Sequence, residues 1–170
     1  MRKNIKKEEG FTLIELILFM GIFSILILAL FQLLTSVFDV QLEAQSTASV
    51  AQDGRYILNR FTYDVKNSTS IVTPSTSGIT SQSLVMSDGT TTYTYSLSNG
   101  NLMLTNSTLG TTDQLNSVNT KVSNISFLRL SDTSSQNINT VTATFTLDST
   151  TIRRNGTNTE VFKATAGIRK

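Results

Sequence analysis

Glu15 is the residue out of keeping with its surroundings. It sits inside an apolar run from Phe11 to about Leu34 whose other clearly polar side chains are Thr12, Ser24 and Gln32. A carboxylate within lipid is costly, less so near the end of a span, and by default marks function. Glu15 therefore needs a partner, or else it lies at the interface and reaches back to headgroups or to Lys7. Most other site chemistry is excluded by composition. The chain has no Cys, His or Trp. That removes disulfides, thiol nucleophiles, Ser–His and Cys–His catalysis and most zinc centres. Asp88, Asp113, Asp132, Asp148 and Glu160 are scattered, with no catalytic pairing and no calcium-loop spacing. An enzyme, a metal site and a cofactor are therefore not expected. Arg153-Arg154 and Arg169-Lys170 are the basic pairs beyond the first ten residues. They are too small to indicate nucleic-acid binding.

Three stretches of different composition must position Glu15. The leader Met1–Gly10 holds Arg2, Lys3, Lys6 and Lys7 against Glu8 and Glu9, and this accounts for the whole net charge of +2. The apolar run from Phe11 to Leu34 would extend about 36 Å as a helix, against about 30 Å of hydrocarbon. With Lys and Arg confined to its N-terminal flank, the positive-inside rule puts Met1 in the cytoplasm and the rest outside. A cleaved secretory signal fits less well, because the run is too long and lacks a small-x-small site at its end.

The helix is expected to continue from Thr35 to Asn67, a stretch without proline. Unbroken from Phe11, it would be about 85 Å long. Val37, Val40, Ala44, Ala48 and Ala51, then Ile57, Phe61 and Val65, form one apolar stripe. Gly54 is its weak point and marks a kink or a break.

From Asn67 to Glu160 about half the residues are Ser, Thr or Asn, and β-branched residues are common. Ser83–Met86, Thr90–Leu97 and Asn101–Thr105 are separated by Asp88-Gly89 and Asn99-Gly100, the dipeptides of tight hairpins. They predict a three-stranded meander with Tyr93, Tyr95 and Leu97 on one face. Val122–Leu130, Val141–Leu147 and Val161–Ile168 predict further strands, with loops at Thr133–Asn139 and Arg154–Thr159. The Ser/Thr/Asn excess is read as a solvated outer sheet face with its loops. The fold class is α+β: a long N-terminal helix packed on a C-terminal antiparallel β-sheet domain. The expected divisions are a leader (1–10), a membrane helix (11–34), its continuation outside (35–67) and a β-rich domain (68–170).

The string Lys6-Lys7-Glu8-Glu9-Gly10-Phe11-Thr12-Leu13-Ile14-Glu15-Leu16 closely resembles the processing motif of type IV prepilins and type II secretion pseudopilins. The motif covers about the first 25 residues; the helix followed by a β domain is similar to the family architecture. The resemblance implies cleavage after Gly10 by a membrane-embedded prepilin peptidase and N-methylation of Phe11. It implies that Glu15 pairs with the N-terminal amine of a neighbouring subunit as helices bundle into a filament. A glycine before the scissile bond presents an unhindered backbone. The other partners implied are further pilin or pseudopilin subunits, an inner-membrane assembly platform, and the bilayer before assembly.

Major pilins commonly carry a proline two-thirds along the membrane helix, whereas the one proline here is Pro74. A minor subunit is therefore expected. The segment Gln52–Asn67 is similar to the helix end of J-type pseudopilins, PilW-like minor pilins and ComGF-like competence pilins. It shares Arg55, Ile57-Leu58, Arg60-Phe61, Asp64 and Val65. Arg60 and Asp64, four apart, can pair on one helix face; an ordinary solvated helix surface is the alternative. The expected function is a structural minor pilin or pseudopilin in a filament for adhesion, motility, secretion or DNA uptake, delivered through the cytoplasmic membrane to the periplasm or cell surface. The competing function is a signal-anchored β domain that binds ligands or surfaces without entering a filament.

Overall fold

The computed structural model describes residues 10–131, 139–154 and 156–168. The leader up to Glu9, Asp132 and most of the expected Thr133–Asn139 loop, Asn155 and the Arg169-Lys170 pair lie outside them. Among the described residues one helix, α1 (Leu13–Asn67), is followed by nine strands. These are β1 (Ser70–Thr73), β2 (Thr80–Ser81), β3 (Leu84–Ser87), β4 (Thr92–Ser98), β5 (Asn101–Asn106), β6 (Thr111–Gln114), β7 (Thr120–Ser131), β8 (Asn139–Ser149) and β9 (Thr159–Gly167). The chain forms two compact units that meet in sequence between Gln41 and Leu42.

In the first unit, every large apolar side chain described from Phe11 to Val40 is solvent-exposed. By length and composition this part of α1 can cross a membrane. A face apolar all round has no core to join in a single chain, so its burial must come from lipid or from other helices.

The second unit packs the rest of α1 on two antiparallel sheets, an α+β architecture. One sheet has the order β1-β3-β4-β5-β6 and the other β2-β7-β8-β9. The expected meander is β3-β4-β5, with Leu84 opposite Tyr95 and Tyr95 opposite Leu104. Its β4–β5 turn is Asn99-Gly100, both at positive φ (50° and 74°), the backbone that a two-residue hairpin requires. Of the face expected to carry Tyr93, Tyr95 and Leu97, only Tyr95 is fully buried, and Leu97 is exposed. In β8 Val141, Ala143, Phe145 and Leu147 are all buried as expected, and Thr142 between them is buried too, its hydroxyl hydrogen-bonded with that of Thr165 at 2.8 Å. Strand β7 breaks alternation at a bulge between Ser123 and Ser126, with Asn124 at φ 50°. The extra residue lets both Val122 and Ile125 face the core. Phe61 of α1, Tyr95 of one sheet and Phe127 of the other meet with ring centroids 6.2–6.4 Å apart, joining all three layers.

The expected helix stripe needs correction. Ile57, Phe61 and Val65 face the core, but Ala44 and Ala48 are exposed, and Ser46, Val50, Asp53 and Gly54 are buried instead. The stripe drawn on small apolar residues missed this face because it includes the polar Ser46 and the carboxylate Asp53, which is buried with partners. Gly54 does not break α1, which runs on to Asn67. A Cβ at Gly54 would lie 2.2 Å from two ring atoms of Phe162, which itself stacks on Phe145 at 5.6 Å. Glycine is there for close approach. Gly54→Ala is expected to destabilise the domain by about 1–2 kcal/mol, overpacking outweighing the helix-propensity gain of about 1 kcal/mol. In a Phe162→Ala background, urea unfolding should show the same change to be neutral or stabilising.

Arg129 is a structural residue that sequence reading did not single out. Its Nη1 donates to the carbonyls of Ile71, Pro74 and Ser75, and its Nη2 to Asn139 Oδ1, each at 3.0 Å. It ties the β1–β2 connection to β7. A lone arginine between Leu128 and Leu130 carries no sequence signal for this, because its acceptors are mostly backbone.

Candidate functional site

The Gly10–Phe11 bond precedes the first helical turn. Among the described residues nothing lies within 4 Å of where a Cβ on Gly10 would be, and Phe11 is 86% exposed. Thr12 caps the helix. Its N–H and Oγ1 donate to Glu15 Oε2 at 3.0 and 2.8 Å, and the Glu15 N–H donates back to Thr12 Oγ1 at 3.4 Å. This reciprocal capping box was legible as Thr-x-x-Glu before an apolar run, though attention to the charge of Glu15 passed over it. It matters because it gives the carboxylate two donors within its own chain while leaving it exposed. Glu15 is thus held at the first turn, with acceptor capacity left for a cation. Lys7, the alternative partner, lies outside the described residues.

Residues 5–31 match the family model described as the prokaryotic N-terminal methylation motif. Its N-terminal segment is thus similar to that of type IV prepilin-like precursors. That match spans Gly10, Phe11 and Glu15. A prepilin-like segment on an apolar helix is consistent with a membrane-anchored precursor. No curated protein and no solved structure matches the chain.

The second candidate cluster lies on α1 in the second unit. Arg55 is exposed. Arg60 Nε donates to Asp64 Oδ2 at 2.9 Å, and the Tyr95 hydroxyl donates to the same oxygen at 2.6 Å. Asp64 is buried, so this face is not a solvated surface. It anchors the helix to β4. Burial works against the charge of Arg60, but hydrogen bonding and attraction from Asp64 outweigh it and raise its pKa. Asp53, three helical turns earlier, accepts from Ser117 N at 2.8 Å, Ser117 Oγ at 2.7 Å and Thr120 Oγ1 at 2.5 Å. It clamps the β6–β7 loop. Sequence reading placed Asp53 only within the motif string, since nothing local pairs with it.

Two of the other carboxylates hold local structure in separate places. Asp88 accepts from the backbone of Thr91 and Thr90, which holds its carboxyl below the usual range. Asp148 accepts from Ser123 and Thr159 across neighbouring strands. Among the described residues, no group of three or more His, Cys, Asp or Glu is placed to hold a metal.

The Tyr95 phenol is pushed above its ordinary value of 10.0, chiefly by burial and then by the negative Asp64 beside it. A raised folded pKa contributes stability in full below the unfolded value and loses it as pH rises. The domain is therefore expected to weaken above about pH 10, where the unfolded phenol ionises and the folded one does not. Melting temperature followed from neutral pH upward should fall less steeply there in Tyr95→Phe than in the parent chain.

Proposed function

We propose that this chain is a minor pilin or pseudopilin. It is cleaved after Gly10, N-methylated on Phe11 and assembled through α1 into a type IV pilus-like filament. The observation that carries this reading is the methylation-motif match over residues 5–31 at the head of an exposed apolar helix. Residues 1–10 are the removed leader, 11–34 cross the cytoplasmic membrane with the N-terminus inside, 35–67 continue outside, and 68–170 form the β-rich domain. The partners are a prepilin peptidase, other pilin or pseudopilin subunits, and an inner-membrane assembly platform. Glu15 is the assembly residue. In a bundle of helices its carboxylate meets the new N-terminal ammonium of a neighbour, an attraction strengthened by the low dielectric around both.

The minor role is supported by the unbroken helix Leu13–Asn67, which lacks the proline common in major subunits. The likeness of Arg55, Arg60 and Asp64 to the J-type, PilW-like and ComGF-like helix end points the same way. Of the uses open to such filaments, adhesion, motility, secretion and DNA uptake all remain compatible with the chain.

Intact mass and N-terminal sequencing, with and without an active prepilin peptidase, test the proposal. The expected product begins at Phe11, methylated, and appears only with the peptidase. A chain that keeps Met1–Gly10 beside active peptidase would overturn it in favour of a signal-anchored binding domain.

A further inference from the structure

Two of the most exposed aliphatic side chains outside the apolar run lie on two loops that hydrogen-bond to each other. Val118, in the β6–β7 loop, is 82% exposed and Ile152, in the β8–β9 loop, is 80% exposed. Thr150 joins the two loops. Its N–H donates to the Asn119 carbonyl at 2.9 Å and its Oγ1 to the Val118 carbonyl at 3.4 Å. The β8–β9 loop is fastened as well as closed. Arg153 Nε donates to the Gly156 carbonyl at 3.1 Å, while its Nη1 pairs with Glu43 Oε1 of α1. Arg154, next to Ile152 and Arg153, is exposed.

The tether limits what can cover this patch. Glu43 lies nine residues after Leu34, the end of the apolar run. Nine residues reach at most about 32 Å when fully extended, and less as helix, whichever way the domain turns. The loop pinned to Glu43 is thus confined near the bilayer surface wherever the apolar run is embedded. A pair of aliphatic side chains beside an arginine suits the boundary between acyl chains and phosphate-bearing headgroups.

We propose that Ile152 and Val118 dock into the outer face of the bilayer, with Arg154 on headgroup phosphates. This holds the β domain against the membrane until the subunit is extracted. The inference rests on the membrane-anchored reading above.

The absence of tryptophan gives a clean test. Ile152→Trp, Val118→Trp and Leu109→Trp each create a single fluorophore. Leu109 is also an exposed aliphatic, 72% accessible, but precedes β6 whereas Val118 follows it. The full chain is reconstituted in phosphatidylcholine–phosphatidylglycerol vesicles carrying brominated acyl chains. Quenching at positions 152 and 118 is expected to be severalfold stronger than at 109. Adding Arg154→Glu should weaken quenching at 152. Equal quenching at 152 and 109 in chains that float with the vesicles would overturn the inference alone. So would a blue-shifted emission at 152 without bromine quenching, which would mean that protein covers the patch. Failure of the chain to float would sink the anchored reading together with the inference.

Discussion

Glu15→Ala is expected to leave cleavage after Gly10 intact and to abolish incorporation into filaments. The Gly10–Phe11 bond, the proposed cleavage site, lies before α1 and four residues ahead of the removed carboxylate, so the peptidase would lose no group next to the bond. The mature chain, however, reaches the bundle with an ammonium in lipid and no counter-charge to offer its neighbour, and an unpaired buried charge is strongly unfavourable. Thr12→Ala separates this from capping. It removes the Oγ1 donor and acceptor of the capping box but keeps the carboxylate. It should fray the first turn and reduce incorporation only modestly. Quantifying processed subunit in sheared filaments against the membrane pool distinguishes the outcomes. Equal losses in the two variants would reduce Glu15 to a helix cap.

The largest loss of stability is expected from Asp64→Ala. One carboxylate oxygen serves both Arg60 and the Tyr95 hydroxyl, and Tyr95 is 1% exposed. Removing it strands a buried hydroxyl and unpairs an arginine, which together should cost about 2–4 kcal/mol. Arg60 retains access to water, which keeps the figure below that of a fully buried pair. Tyr95→Phe alone should cost about 1 kcal/mol, the usual net worth of a hydrogen bond, and little more once Asp64 is already gone. Urea unfolding of the four chains of this cycle measures the coupling. Strict additivity would mean that the 2.6 Å contact contributes nothing.

Where local pattern and tertiary demand agree, the fold could be read from the residues. Asn99-Gly100 fixes its hairpin, Val141, Ala143, Phe145 and Leu147 are all buried as their alternation predicts, and the apolar run beginning at Phe11 announces its helix. The errors on the helix have one origin. Asp53 and Asp64 face inward because Ser117, Thr120 and Tyr95, remote in sequence, supply their donors, and no local period reveals that. The same remoteness hid Phe162 above Gly54 and the backbone acceptors of Arg129. Strands β1, β2 and β6 were not foreseen. Each has four residues or fewer, too short for alternation to stand out in Ser/Thr-rich sequence. At the candidate site, the string from Lys6 to Leu16 carried the reading almost alone. The Thr12–Glu15 box was equally local and was simply overlooked.

Asp53 and Asp64 are eleven residues apart on one helix, about 16 Å along its axis. Each grips a different part of the β structure, the β6–β7 loop and strand β4. A pull along α1 would load both anchors in parallel, so neither can be peeled away first. Slippage by one helical turn would break both sets of bonds together and drive the Phe162 ring against a residue bulkier than glycine. The domain is therefore built to yield abruptly at high force, rather than by gradual creep.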